Sequence, residues 1–257
     1  MGSKIVRTVL SIWGWFVLGV FTLLFTPLVA FVRLVTSPFD RGAYIAGYVF
    51  RRIAIGPSAL NPLWTFRTSG TLPVDMRRPY VIVANHESFV DILLISLLPA
   101  EMKWLSKVEI MKIPFLGWMM RLVRDISIDR NDRSSGANAL AACAARLDSR
   151  VSVMIFPEGR RSTTDRLNEF KPGAFRLAIE GGYPILPMAL FGTADCLRPN
   201  DWRMGRATAE VRVLEPIETN ALTLDDLAGL SDLVHNTISE AREDIRREHH
   251  ALDSKSS

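Results

Sequence analysis

A histidine and an aspartate five positions apart, His86 and Asp91, are the residues of this chain best suited to moving a proton. They lie in Asn85-His86-Glu87-Ser88-Phe89-Val90-Asp91, directly after the apolar run Tyr80–Ala84, which reads as a buried strand. The carboxyl end of such a strand is where α/β enzymes place reactive groups. Within one regular helix, a spacing of five would set the two side chains about 140° apart. If His86 instead occupies a loop before a helix that begins near Asp91, the chain folds back and the pair can meet. The carboxylate would then fix the imidazole tautomer and stabilise the imidazolium formed on proton uptake. Spacing leaves a second reading open, with Asn85 as a helix cap and His86 an ordinary first-turn residue.

A second cluster, Phe156-Pro157-Glu158-Gly159-Arg160-Arg161-Ser162, follows another buried strand, Val151–Phe156. Glycine lets a backbone approach a ligand closely, and paired arginines suit planar, bidentate recognition of phosphate. Two smaller candidates are Ile128-Asp129-Arg130, after the short extended stretch Ile126–Ile128, and Lys107, at the start of a short helix. Singly, each reads as readily as solvated surface charge. The other histidines, His235, His249 and His250, belong to a C-terminal helix or its end, so His86 stands alone in the α/β region. His86-Glu87 begins like a zinc-protease HExxH motif, but position 90 is Val90, and no phosphate-binding glycine loop or Gly-x-Ser-x-Gly elbow is present. Cys143 and Cys196 have neither disulfide nor zinc spacing, which points to a reducing compartment and no metal.

Taken in order, these blocks resemble the glycerophospholipid acyltransferase family, in particular the bacterial 1-acylglycerol-3-phosphate acyltransferases. Asn85 to Asp91 matches the NHxxxxD signature, and Lys107, Glu109, Pro114, Phe115 and Gly117 match the following lysine-x-glutamate…proline-phenylalanine-x-glycine pattern. Ile128-Asp129-Arg130 closes the second block, FPEGRRS followed by Phe170-Lys171-Pro172-Gly173 forms the third, and Ile185–Leu190 around Pro187 forms the fourth. Arg160 stands where the family usually has threonine, and Arg124-Asp125 where a glycine is common; both bear on the acceptor head group more than on the chemistry. The resemblance implies that His86 takes a proton from the acceptor hydroxyl as it attacks an acyl thioester, with Asp91 orienting the imidazole. It also implies that Lys107, Arg130 and Arg161 bind the acceptor phosphate, while Glu158 and Gly159 shape that end of the site. Direct transfer is favoured over an acyl-enzyme on Ser88, for want of a nucleophile elbow. The partners implied are a lysophospholipid acceptor, acyl-CoA or acyl-carrier protein as thioester donor and co-substrate, and membrane lipids; no metal or other cofactor is called for, and the product would be phosphatidic acid. Another lysolipid acceptor, such as a lyso-ornithine lipid, and a non-catalytic lipid-binding protein on the same fold remain as alternatives.

The elements that must position these groups alternate. Strands are expected at Leu63–Thr68, Tyr80–Ala84, Ile126–Ile128, Val151–Phe156, Ile185–Leu190 and, edge-like, Ala209–Leu214. Helices are expected at Asp91–Leu98, Gly136–Leu147, Gly173–Gly181 and from about Ser231 to Arg247. The fold class is therefore α/β, a single sheet covered by helices, preceded by an N-terminal membrane-embedded two-helix segment. Domain boundaries follow: 1–56 for the membrane-anchoring helices and 57–257 for the α/β acyltransferase domain.

That N-terminal segment carries the excess behind a hydrophobic content of 48% and a mean hydropathy of +0.15. Thr8 to Val32 is a run of 25 residues without a formal charge, long enough as a helix to cross a bilayer core. Pro27 should kink or end it. A second, amphipathic helix is expected from Ser37 as N-cap and Pro38 to Ile53, with Arg41, Arg51 and Arg52 turned toward phosphates. Basic residues flank both ends, so a span and embedding from one face stay open, with the latter preferred. The net charge of +4 suits an anionic lipid surface, and the greasy segment favours lipid over nucleic acid. The expected location is the inner (cytoplasmic) membrane, with the active site facing the cytoplasm.

Overall fold

The computed structural model describes residues 2–129, 131–162 and 166–255. Seven strands form one sheet: β1 (Trp64–Ser69), β2 (Val81–Ala84), β3 (Met102–Lys107), β4 (Ile126–Ile128), β5 (Ser152–Ile155), β6 (Ile185–Phe191) and β7 (Ala207–Val213), in the order β1-β7-β6-β2-β5-β3-β4. β2 to β6 are mutually parallel; β7 runs antiparallel to β6, and β1 parallel to β7. The central strands β2 and β5 are buried at every position; β2 is wholly apolar, and the one polar side chain of β5, Ser152, accepts the Tyr80 N–H at 3.1 Å. Because β2, β3, β4, β5 and β6 are parallel, their carboxyl ends share one rim, and the described candidates His86, Lys107, Glu158, Gly159 and Arg161 end or follow these strands there.

Nine helices are found among the described residues: α1 (Gly2–Thr36), α2 (Tyr44–Arg52), α3 (Ile55–Ala59), α4 (Asp91–Ile95), α5 (Leu116–Leu122), α6 (Arg133–Asp148), α7 (Gly173–Gly181), α8 (Thr193–Cys196) and α9 (Leu227–Lys255). One face of the sheet packs Ile82, Met154, Leu186 and Met188 against α4 and the N-terminal half of α1. The other packs Val81, Val83, Val153 and Ile185 against α6, α7 and α9. This alternation of in and out along each strand puts one hydrophobic layer on each side of the sheet.

Several expectations need correction. β7 is not an edge strand, because β1 pairs outside it. Lys107 ends a strand, β3, that the sequence reading did not assign. One long apolar helix precedes the domain, not two. Pro27 lies inside α1 without ending it, and Ser37 bonds back to Leu34 O instead of capping a helix. The next helix starts only at Tyr44, where the Asp40 carboxylate accepts the Tyr44 and Ile45 N–H groups at 2.9 and 2.7 Å.

The reason α2 is not a second embedded helix is its charge. Arg51 is buried and forms a paired contact with Asp125, with Nη1 3.0 Å from Oδ2, and its Nε lies 3.4 Å from Glu101. Lys103, fully buried, donates to Glu101 at 2.5 Å and to Ala43 O at 2.8 Å. Two cations thus neutralise two carboxylates beneath α2. The helix can sit this close because residue 47 is glycine: a Cβ there would lie 2.0 Å from Glu101 Oε1. Arg52 donates to the carbonyls of Ser96, Leu97 and Leu98, which end α4. Both arginines therefore face the domain, not phosphates.

Candidate active site

The loop carrying His86 is folded by the side chains at its two ends. Asn85 clamps the Leu190 backbone, accepting its N–H at 2.7 Å and donating to its carbonyl at 2.9 Å, which extends the β2–β6 pairing by one residue through a side chain. At the other end, Asp91 Oδ2 accepts the backbone N–H groups of Glu87 and Ser88 at 2.8 and 3.0 Å. These bonds curl residues 86–90 back over the start of α4, and the same oxygen lies 2.7 Å from His86 Nδ1. The loop reading of the five-residue spacing is thus the one the chain adopts: the carboxylate that shapes the turn also meets the imidazole.

Asp91 is wholly buried, while the His86 side chain keeps 14% of its surface exposed. Asp91 Oδ1 accepts from the Thr193 hydroxyl, so both carboxylate oxygens are occupied. With Nδ1 donating to Asp91, Nε2 is left with its lone pair for an incoming proton. The ring lies flat on Phe156, with centroids 4.1 Å apart and planes at 15°. The loop after β5 also grips the histidine backbone: Glu158 Oε1 accepts the His86 N–H at 2.7 Å, and the Ser162 N–H donates to the His86 carbonyl at 2.8 Å. Glu158 Oε2 accepts from Asn168 N and Nδ2, so this buried carboxylate joins two loops. Gly159 has φ +70°, a backbone conformation that strains any residue with a side chain, so the turn favours glycine.

Lys107 and Arg161 lie at or after strand ends on the same rim. Arg161, in the loop after β5, is exposed; Lys107, at the end of β3, is exposed and pairs with Glu109 at 3.2 Å. Lys107 sits beside Ile128 in register, so the end of β4 is its neighbour. Arg130 lies outside the described residues. Ser88 is fully buried and donates its hydroxyl to Leu197 O at 2.9 Å, which ties it up structurally.

Three participants were out of reach of sequence reasoning. Thr193, 102 positions from Asp91, enters only because β6 lies next to β2. Arg242 on α9 donates from Nε to Glu87 Oε1 at 2.8 Å. Burial pushes the Glu87 carboxyl up from its ordinary value, Arg242 pulls it down, and the neighbouring Asp91 charge adds to the rise. Phe156 was named only as part of a motif, and nothing in its spacing says that it would face His86.

Beside this loop an apolar cavity of about 330 Å³ opens between α1, α2, α4 and α5, with Phe89 and Ile92 in its wall next to the His86 turn. Trp15, Leu18, Leu93 and Met119 continue the lining, and Arg51 and Asp125 close part of it.

The sequence profile of the acyltransferase family matches residues 65–191, from β1 through the end of β6, and so covers every described site residue up to Phe191. Residues 65–191 belong to the acyltransferase family. Among the chain's relatives, a 1-acyl-sn-glycerol-3-phosphate acyltransferase of Saccharomyces cerevisiae is 31% identical over 173 residues, covering 66% of this chain and 57% of that one. The Haemophilus influenzae 1-acyl-sn-glycerol-3-phosphate acyltransferase is 29% identical over 196 residues, covering 73% of this chain and 81% of that one. The chain spans about half the length of the first curated acyltransferases it matches, 57% of the yeast protein and 46% of that from Brassica napus. In fold, it is similar to the crystal structure of the 1-acyl-sn-glycerophosphate acyltransferase PlsC from Thermotoga maritima, with a TM-score of 0.80 at 23% identity over 95% of this chain and 97% of that one.

Proposed function

We propose that this acyltransferase moves a fatty acyl group from a thioester to the free hydroxyl of 1-acyl-sn-glycerol 3-phosphate, giving phosphatidic acid. The observation that carries the reading is the His86–Asp91 contact at a solvent-reachable turn beside an apolar cavity. His86 Nε2 accepts the hydroxyl proton as the oxygen attacks the thioester carbonyl. Asp91 stabilises the imidazolium, and the proton then passes to the sulfur as the carbon–sulfur bond breaks. An acyl chain fits the apolar cavity, where burial is worth about 0.8 kcal/mol per methylene. Acyl-CoA or acyl-carrier protein supplies the thioester, and no metal has a part in these steps.

On this reading Arg161, Lys107 and Arg130 receive the acceptor phosphate. Glu158 and Gly159 act by holding the loop of His86 and Arg161 in shape. Arg161→Ala is expected to raise KM for lysophosphatidate about 10- to 150-fold, the loss of one charge-assisted contact, with KM for the acyl donor little changed. Steady-state kinetics with labelled acyl thioester check it. If the wild-type enzyme prefers an acceptor without a phosphate, the head-group assignment fails while the chemistry stands.

α1 is long and apolar enough to cross a membrane, with a mean hydropathy of 2.3 over its most apolar stretch. In-plane embedding is favoured by the packing of both its ends on one body. Arg7 donates to Met204 O and Arg203 O at 2.9 and 2.8 Å, while Val29 is buried in one cluster with Met119 of α5 and Val123 just after it. A span would separate those ends by the thickness of the bilayer core, roughly 30 Å. Its outward stripe of Ile5, Val9, Ile12, Phe16, Leu23, Phe31 and Leu34 is exposed along the whole length, as one leaflet would require. The proposed division is therefore 1–56 for attachment and 57–257 for chemistry, at the inner membrane with the site toward the cytoplasm. A cysteine at position 3 should react with an impermeant thiol reagent only once cells are opened. Labelling of intact cells from outside would instead establish a span.

A further inference from the structure

A second cavity, of about 680 Å³, lies on the same rim as His86 but beyond α8. α8 has two sides in this respect: Thr193 bonds Asp91, whereas Gly192 and Asp195 line the second cavity. Four arginines reach the cavity from separate parts of the fold, Arg7 on α1, Arg67 on β1, Arg198 after α8 and Arg206 before β7. Among the described lining residues the one carboxylate is Asp195. Arg7 is held by Asp201 and two carbonyls, and Arg198 lies 3.2 Å from Asp195. Arg67 and Arg206 have no hydrogen-bond or ion-pair partner among the described residues. Both are exposed, with Arg67 in register beside Glu210 of β7; two guanidinium forks facing a concavity of small-molecule size suit a ligand with more than one phosphate charge.

Position narrows the choice of ligand. From the end of β2, where a thioester must sit, β6, β7 and β1 follow in order, so the far wall is three strand spacings away, about 14 Å. The acceptor's candidate cations lie in the opposite direction along the rim, after β5 and β3. We propose that the second cavity binds the phosphate-bearing nucleotide end of a coenzyme A thioester, with its linear arm running past α8 to His86. This deepens the proposed acyl transfer by naming the donor class, and it rests on that reading. The phosphate of an anionic lipid shares the chemistry, and the test separates the two.

The test uses the full-length protein and the double variant Arg67→Gln/Arg206→Gln, neither residue belonging to the His86 machinery. Wild-type protein should bind labelled adenosine 3′,5′-bisphosphate in equilibrium dialysis, and the double variant should bind it at least 10-fold more weakly. In turnover, the variant's KM for acyl-CoA should rise about 10- to 100-fold. Its kcat, its KM for the acceptor and its KM for an acyl-pantetheine without phosphates should stay within about twofold, and the Lys/Lys variant should recover part of the loss. Equal nucleotide binding by both proteins overturns the proposal, as does a wild type that turns over only acyl-carrier protein. A variant with unchanged KM for acyl-CoA but weaker binding to phosphatidylglycerol vesicles assigns the cavity to lipid phosphate and also overturns it. Failure of the wild type to turn over any thioester refutes the transfer reaction, while the dialysis result still decides the cavity.

Discussion

His86→Ala is expected to lower the rate of acyl transfer by about 10²–10⁴-fold while leaving a folded protein, because the proposed reaction loses its general base. The fold should survive: Asp91 Oδ2 keeps its two backbone N–H donors, and Oδ1 keeps Thr193. What is lost is one hydrogen bond and one stacked contact on Phe156, worth about 1–2 kcal/mol together. Asp91→Asn separates two roles of the carboxylate. Two peptide N–H groups hold an acceptor on the side facing His86, so the amide oxygen stays there and the tautomer is preserved. The counter-charge for the imidazolium is gone, and kcat should fall nearly as far as in His86→Ala. Single-turnover rates with matched thermal unfolding curves check both variants. Near-normal turnover by purified His86→Ala protein would sink the mechanism.

The largest effect on stability is expected from Arg51→Met. Arg51 neutralises Asp125 and half-neutralises Glu101 in a region with almost no solvent. Removing it leaves buried carboxylate charge with only Lys103 to balance it, a loss of about 3–5 kcal/mol. Against a typical domain stability of about 5–15 kcal/mol, this is a large share. Glu101 already has its carboxyl pushed up by burial, with Arg51 and Lys103 pulling it down, so loss of Arg51 should raise it further. Pairing the change with Asp125→Leu should recover much of the loss, because the charge and its partner leave together. Urea unfolding in detergent distinguishes these outcomes, and equal midpoints for wild type and Arg51→Met would refute the account. The cluster also bears on function, since Arg51 and Asp125 stand in the wall of the apolar cavity.

Much of the site was legible beforehand because it is local. The short, largely apolar runs Tyr80–Ala84 and Val151–Phe156 read as buried strands, which places the groups that follow them at strand ends. The turn from Asn85 to Asp91 is closed by bonds that span three to five residues, so its residue types describe its shape. The sheet's general class followed from alternating patterns in the same way. Harder cases were set by competition. Arg51 lies at a helical spacing that reads as a polar face, and its side chain type says water; only the facing Asp125 and Glu101 make burial cheaper than exposure. Pro27 read as a break, yet α1 continues through it because packing along the domain holds the helix on both sides.

By itself, then, the order of residues determined which groups could do chemistry, the strands they follow and the presence of a long greasy run near the N-terminus. Those properties depend on side-chain type and on neighbours a few positions away. Tertiary structure alone decided that β7 turns against β6 with β1 outside it. It likewise brought Thr193 and Arg242 to the His86 turn, laid α1 flat along the domain, and gathered four arginines beyond α8. Each of these joins segments separated by dozens to hundreds of positions. Their proximity comes from burying two faces of a single sheet, a condition on the whole chain that no local pattern encodes.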